Sequence, residues 1–224
     1  MKLYPVMMNL DKRLAVIIGG GSVAARKAAD LFEAGAVIKV ISPDFDSEIM
    51  EMSWNYPDRV EIFQRVYKVG DLEGAVLVFS ATDNPEVNGH VFREAEERNI
   101  LINAVDDPPN CSFYVPSFVR KGDLIFSLST CGASPAMAAR LRRMMEAHIP
   151  ERVDDMLCIL RRGRELLKAD DTFKDMDTLA RGELLKKVVN EDALLESLNC
   201  CSSDNDIIQF FSSLKDRGNS VSGN

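Results

Sequence analysis

Apolar residues fall in short unbroken runs along the first half of the chain and at helical spacing along the second. Leu14-Ala15-Val16-Ile17-Ile18 is apolar throughout and ends at Gly19-Gly20-Gly21, the pattern of a parallel strand buried on both faces. Ala24 to Ala34 follows at helical periodicity and stops at Gly35, a natural C-terminal cap. Further strands are predicted at 37–41, near 60–63, at 75–79 and at 101–105, with a helix over 86–98. Strands separated by helical segments imply right-handed crossovers. The expected fold is therefore α/β, a Rossmann-type doubly wound parallel sheet with helices on both faces.

The pattern then changes. Residues 112–116 and 124–128 read as strands joined by the turn Arg120-Lys121-Gly122-Asp123. A helix is expected from Ser134-Pro135, with Ser134 as N-cap and Pro135 in the first turn. From Pro150 the chain reads as a small, charged α-helical C-terminal domain through Leu160, Leu166, Leu184 and Leu194. The tail from Ser212 is rich in Ser, Gly and Asn and is expected to fray. No internal repeat is visible.

Composition narrows the function classes. The chain has 224 residues, 46% hydrophobic and 28% charged, which suits a globular protein with one good-sized domain and a smaller one. No apolar run reaches the roughly 18 residues of a membrane helix. The N-terminus has no signal-peptide architecture, so a cytoplasmic protein is expected. With 27 basic and 35 acidic side chains the net charge is -8, which argues against a general nucleic-acid or membrane surface. The five cysteines show no metal-type spacing, and adjacent Cys200-Cys201 read as reduced helix cysteines or, in principle, a redox pair. Only His90 and His148 are present, so no metal site is expected.

The chemistry sits at the strand ends. Gly19-Gly20-Gly21-Ser22-Val23-Ala24 is a G-x-G-x-x-A fingerprint between strand and helix. In it Gly19 permits the tight turn, Gly21 lets backbone approach a pyrophosphate, and Ala24 allows close helix–sheet packing. The second strand ends in Ser42-Pro43-Asp44, where an NAD site needs an acid for the ribose hydroxyls. Asp44 comes slightly late for that; Ser42 and backbone can serve instead, or Asp44 simply forms the turn. No Arg follows to receive a 2′-phosphate, which favours NAD over NADP. The fourth strand runs into Ala81-Thr82-Asp83-Asn84-Pro85, placing Thr82 and Asp83 beside the cofactor, with Asp83 or Asn84 also able to cap the next helix. The fifth ends in Asp106-Asp107-Pro108-Pro109. A partly buried Asp106, with Asp107 beside it, can act as general base or acid; the plain alternative is a polar strand-end turn.

Together these motifs resemble the siroheme synthase dehydrogenase family. The resemblance rests on Tyr4-Pro5 with Leu10, the Gly19–Ala24 loop running into Arg26-Lys27, and Ala81-Thr82-Asp83-Asn84-Pro85-Glu86-Val87-Asn88. It rests also on Asn103-Ala104-Val105-Asp106 and on Cys131-Gly132-Ala133-Ser134-Pro135 followed by Ala139-Arg140-Leu141-Arg142. It covers residues 1–150, and the family too has a helical C-terminal domain. The resemblance implies oxidation of precorrin-2 to sirohydrochlorin with NAD, with Asp106 as catalytic carboxylate and Ser22, Val23, Pro43 and Asp44 lining the NAD site. It also implies a homodimer. Residues 1–113 would then form the NAD-binding domain, 114–148 the dimerisation and tetrapyrrole-cleft segment, and 149–224 the helical domain.

A tetrapyrrole rimmed by carboxylates needs cations, and in an acidic chain these must be concentrated at the site. Arg120, Lys121, Arg140 and Arg142-Arg143 are the candidates, with N–H donors at the helix start Ser134. Solvated helix-face arginines are the alternative. Two other activities stay open: a bifunctional enzyme that also inserts Fe²⁺, and a non-catalytic NAD-sensing module. A short-chain dehydrogenase is set aside, because no tyrosine is followed four residues on by lysine.

Overall fold

A computed structural model describes residues 2–219, with side chains through 216. The chain divides into two compact units, Lys2–Val115 and Pro116 onward.

In the first unit five strands form one parallel sheet: β1 (Leu14–Ile18), β2 (Val37–Ser42), β3 (Val60–Gln64), β4 (Leu77–Ser80) and β5 (Leu101–Ala104). Their order is β3-β2-β1-β4-β5, so the winding direction reverses between β1 and β4. Alternate residues of β1 feed two separate cores. Ala15 and Ile17 pack with α1 (Ser22–Glu33) and α2 (Ser47–Asn55), while Val16 and Ile18 pack with α3 (Pro85–Glu97). Helices on both faces explain why β1 has no polar position: each fully buried Val or Ile contributes roughly 1.5–3 kcal/mol. Arg59 closes the C-terminal end of α1, donating to Phe32 O at 2.7 Å and Ala36 O at 3.1 Å while lying over the Phe32 ring.

Two features depart from the sequence expectation. The helix α2, capped by Asp46, is additional; with Ile49 its one fully buried side chain, it has little apolar periodicity to announce it. Between β3 and β4 the described chain has no helix. That crossover is a loop held by charge: Arg65 forms a two-point pair with Asp71 at 2.7 Å, Lys39 donates to Asp71 O, and buried Glu94 accepts from Tyr67 and from Gly70 N.

In the second unit β6 (Ser117–Lys121) and β7 (Leu124–Leu128) pair antiparallel around Gly122, whose φ is +52°. The first strand of this hairpin was expected at 112–116; that stretch instead runs beside β5 without joining a strand. Helix α4 (Pro135–Glu146) packs on the hairpin, with Ser134 accepting from Met137 N as the expected cap. The hairpin tip is fastened to α5 (Val153–Ala169): Asp123 N donates to Asp154 and Asp123 pairs with Arg161. α5, α6 (Thr178–Asn190), α7 (Asp192–Asn199) and α8 (Asp204–Asn219) enclose a core around Phe173 and Phe211. Residues 212–219 are thus helical rather than frayed, because Phe211 and Leu214 are buried in this core; residues 220–224 lie outside the described residues. All five cysteines are free thiols.

Candidate functional site

The parallel register aligns the carboxyl ends of β1, β2, β4 and β5 on one edge of the sheet. To that edge the chain delivers the loop 19–24, Ser42-Pro43-Asp44, Thr82-Asp83 and Asp106. It is the edge at which open α/β sheets hold ligands, and the β1/β4 reversal marks the point along it.

Gly19 has φ +113°, and its N–H donates to Ile41 O, locking the turn to β2. Gly20 is hemmed in by the Asp44 carbonyl and the Ser42 side chain, and its own carbonyl accepts from Asp46 N at 2.7 Å. Gly21 differs: a Cβ there would meet nothing within 4 Å. Gly21 is also the N-cap of α1, with no side-chain cap and no acid in the first turn. By contrast α2, α3 and α4 are capped by Asp46, Asn84 and Ser134. Open space at Gly21 over a helix start with uncapped N–H groups fits a pyrophosphate. Ser22 is exposed, Val23 half-buried and Ala24 fully buried against the sheet.

Along β2, Ser42 is buried while Pro43 and Asp44 are exposed. The cation next door is Arg65, whose backbone N–H donates to Ser42 O, and its guanidinium is held by Asp71. After β4, Asn88 ties the loop down, donating to Thr82 O at 3.0 Å and accepting from the Ser80 hydroxyl at 2.7 Å. Asn84 caps α3, leaving Asp83 exposed. Asn88 was named from sequence only as part of a resemblance motif and given no role, although its place four residues after a cap residue was the available signal.

Asp106 follows β5 with φ +59°, a left-handed conformation that costs an L-residue about 1–2 kcal/mol. It is exposed, so the partial burial expected of it is not found within this chain; Asp107 is half-buried and accepts from Asn110 Nδ2 at 2.6 Å. Beneath the turn lies Cys111, another residue the sequence reading missed; burial pushes its thiol up from the ordinary value. On the α1 side, Lys27 Nζ lies 5.3 Å from the Phe79 ring centroid, and burial lowers its pKa against the opposing charge of Asp30.

The proposed tetrapyrrole ligands belong to the second unit. Arg120 is exposed and Lys121 half-buried at the end of β6. Arg140 is exposed on α4, whereas Arg142 pairs with Glu146 at 2.7 Å. Among the described residues no three His, Cys, Asp or Glu side chains gather as a metal site would need. Among them, too, no helix is long and apolar enough to cross a membrane.

Residues 6–117 match the family model described as "Putative NAD(P)-binding". The chain belongs to this NAD(P)-binding family. That agrees with the open, uncapped glycine turn and supports a nicotinamide cofactor. The chain is also 32% identical over 200 residues to "Siroheme synthase" of Acinetobacter baylyi, covering 89% of this chain and 43% of that protein. To "Siroheme synthase" of Photorhabdus laumondii it is 36% identical over 168 residues, covering 75% of this chain and 35% of the other. It thus spans less than half the length of the curated relatives it matches. The solved structure of "SirC, precorrin-2 dehydrogenase" superposes with a TM-score of 0.75 at 22% identity, over 94% of this chain and all of that one, and shares the fold. The resemblance read from the motifs is borne out by sequence matches over most of the chain, and the expected α/β fold by the structural likeness.

Proposed function

We propose that the protein is an NAD-dependent dehydrogenase that oxidises precorrin-2 to sirohydrochlorin. The observation that carries this is Asp106, a strained and exposed carboxylate on the same sheet edge as the open Gly21 turn, in a chain matching siroheme synthases over up to 200 residues. NAD bound at the turn supplies the hydride acceptor. The α1 N–H groups would hold its pyrophosphate, and Ser42, Pro43 and Asp44 would flank the adenosine ribose. Pairing with Asp71 draws Arg65, the cation beside the β2 end, away from a 2′-phosphate, which favours NAD over NADP. Asp106 would accept the proton released as the substrate gives up a hydride, so that precorrin-2 and NAD⁺ would give sirohydrochlorin, NADH and a proton. By the family resemblance, Arg120, Lys121, Arg140, Arg142 and the Ser134 helix start are the groups assigned to the substrate carboxylates.

The same reading makes the protein a cytoplasmic homodimer joined through residues 114–148. A two-stranded sheet is marginal alone, and α4 exposes Met137, Met144 and Met145, so a second copy has both strand edges and apolar surface to cover. The test is an anaerobic assay of precorrin-2 with NAD, following sirohydrochlorin absorbance, with Asp106→Ala alongside and Fe²⁺ added afterwards. NADH formation that disappears in the variant is expected. Absence of turnover by the wild-type protein with NAD still bound would leave a nucleotide-sensing module instead, and siroheme above a metal-only control would reveal a second, metal-inserting activity.

A further inference from the structure

Asp106 is held in place by bonds that do not involve its own carboxylate. Strand β5 ends at Ala104, Val105 N donates to Ser80 O, and Asp107 N closes back on Ala104 O at 3.2 Å. After a single turn at Pro108–Asn110 the chain returns under the loop. There the Cys111 thiol has two carbonyl acceptors, Ala104 O at 3.2 Å and Asp107 O at 3.4 Å, which bracket Asp106 on either side. From the strand, Asn103 Nδ2 donates to Phe113 O at 3.0 Å and reaches Cys111 Sγ at 3.8 Å. Ser112 completes the staple, exchanging bonds with Ile102 at 2.8 Å through both its N–H and its hydroxyl.

We infer that Cys111 and Asn103 are positioning residues that lock the left-handed turn at Asp106 and so aim its carboxylate. The inference rests on the reading that Asp106 accepts the substrate proton. Left to itself an aspartate prefers φ below zero, and a change of that size would swing the carboxylate away from the sheet edge. Misplacement of a reacting group by about 1 Å can cost on the order of a hundredfold in rate. The thiol suits the task because it is a small donor that fits beneath the loop, and burial keeps it protonated at neutral pH.

The test compares wild type with Cys111→Ala, Cys111→Ser, Asn103→Ala and Asp106→Ala, reading kcat with precorrin-2, the Kd for NAD, and Tm. The expected result is a kcat lowered tenfold or more in Cys111→Ala and Asn103→Ala, with NAD affinity within twofold of wild type. Cys111→Ser restores the donor and should return kcat to within about threefold of wild type. A Cys111→Ala kcat within threefold of wild type, or loss of kcat and NAD affinity together, would overturn the inference. Asn103→Ala probes the same clamp from the strand, so failure of one variant to fold leaves the other to decide. Full turnover by Asp106→Ala would instead defeat the functional reading itself.

Discussion

Gly19 lies so close to Ala81 that a Cβ on it would stand 2.1 Å from the Ala81 carbonyl oxygen. The obstacle is backbone, and the φ of +113° is itself hostile to a side chain, so neither partner can yield cheaply. Gly19→Ala should destabilise the first unit by roughly 2–5 kcal/mol, combining strain and overpacking. Gly21→Ala, in open space, should leave Tm within a few degrees while weakening NAD binding at least tenfold. Thermal unfolding and NAD titration of the two variants separate a structural glycine from a ligand-facing one.

Replacement of Asp106 should split stability from activity. Asp106→Gly accepts the left-handed conformation, so its Tm is expected near or above wild type although turnover is lost. Asp106→Val cannot adopt it readily and should cost about 1–3 kcal/mol. A Tm of Asp106→Val equal to that of Asp106→Gly would show that the turn stores no strain.

The arginines of α4 are not equivalent. Arg142 is paired with Glu146, whereas Arg140 is exposed. Arg140→Ala is expected to weaken tetrapyrrole binding tenfold or more with little change in NAD affinity, and Arg142→Ala to do less. Equal losses of tetrapyrrole and NAD affinity in Arg140→Ala would remove that residue from the substrate site.

Acid should loosen the β3–β4 crossover. Burial alone would raise the Asp71 carboxyl, but the Arg65 hydrogen bond, the Lys68 N–H and the charges of Arg65 and Lys39 outweigh it and hold the group below its usual range. A depressed folded pKa means that the stabilisation is present above the unfolded value of about 3.9 and is lost as pH falls through the folded one. Stability measured by denaturant from pH 6 downward should therefore fall less steeply below about pH 4 in Asp71→Asn than in wild type, from a lower plateau at neutral pH.

Much of the first unit was legible because its signals are contiguous. The run Leu14–Ile18 is buried on both faces, so every residue had to be apolar, and the glycine turn follows it directly. The same holds for Ser134 as a cap, since a cap bonds to an N–H only three residues away. The segment 112–116 failed that test. Its composition suits a strand, but Ser112 and Phe113 are bound to Ile102 and Asn103, ten residues back, and the hairpin partner of β7 starts only at Ser117. Helix α8 outlasted its Ser- and Asn-rich sequence because Phe211 and Leu214 find a core that other helices build.

By itself the sequence determined the parallel α/β frame, the nucleotide-type turn and the family likeness, all of which reside in runs of neighbouring residues. The tertiary structure decided the order β3-β2-β1-β4-β5, the open space at Gly21, and the left-handed turn at Asp106 with Cys111 beneath it. Those depend on which distant backbone groups come within hydrogen-bonding or contact distance, and that is settled only when separate segments pack against one another.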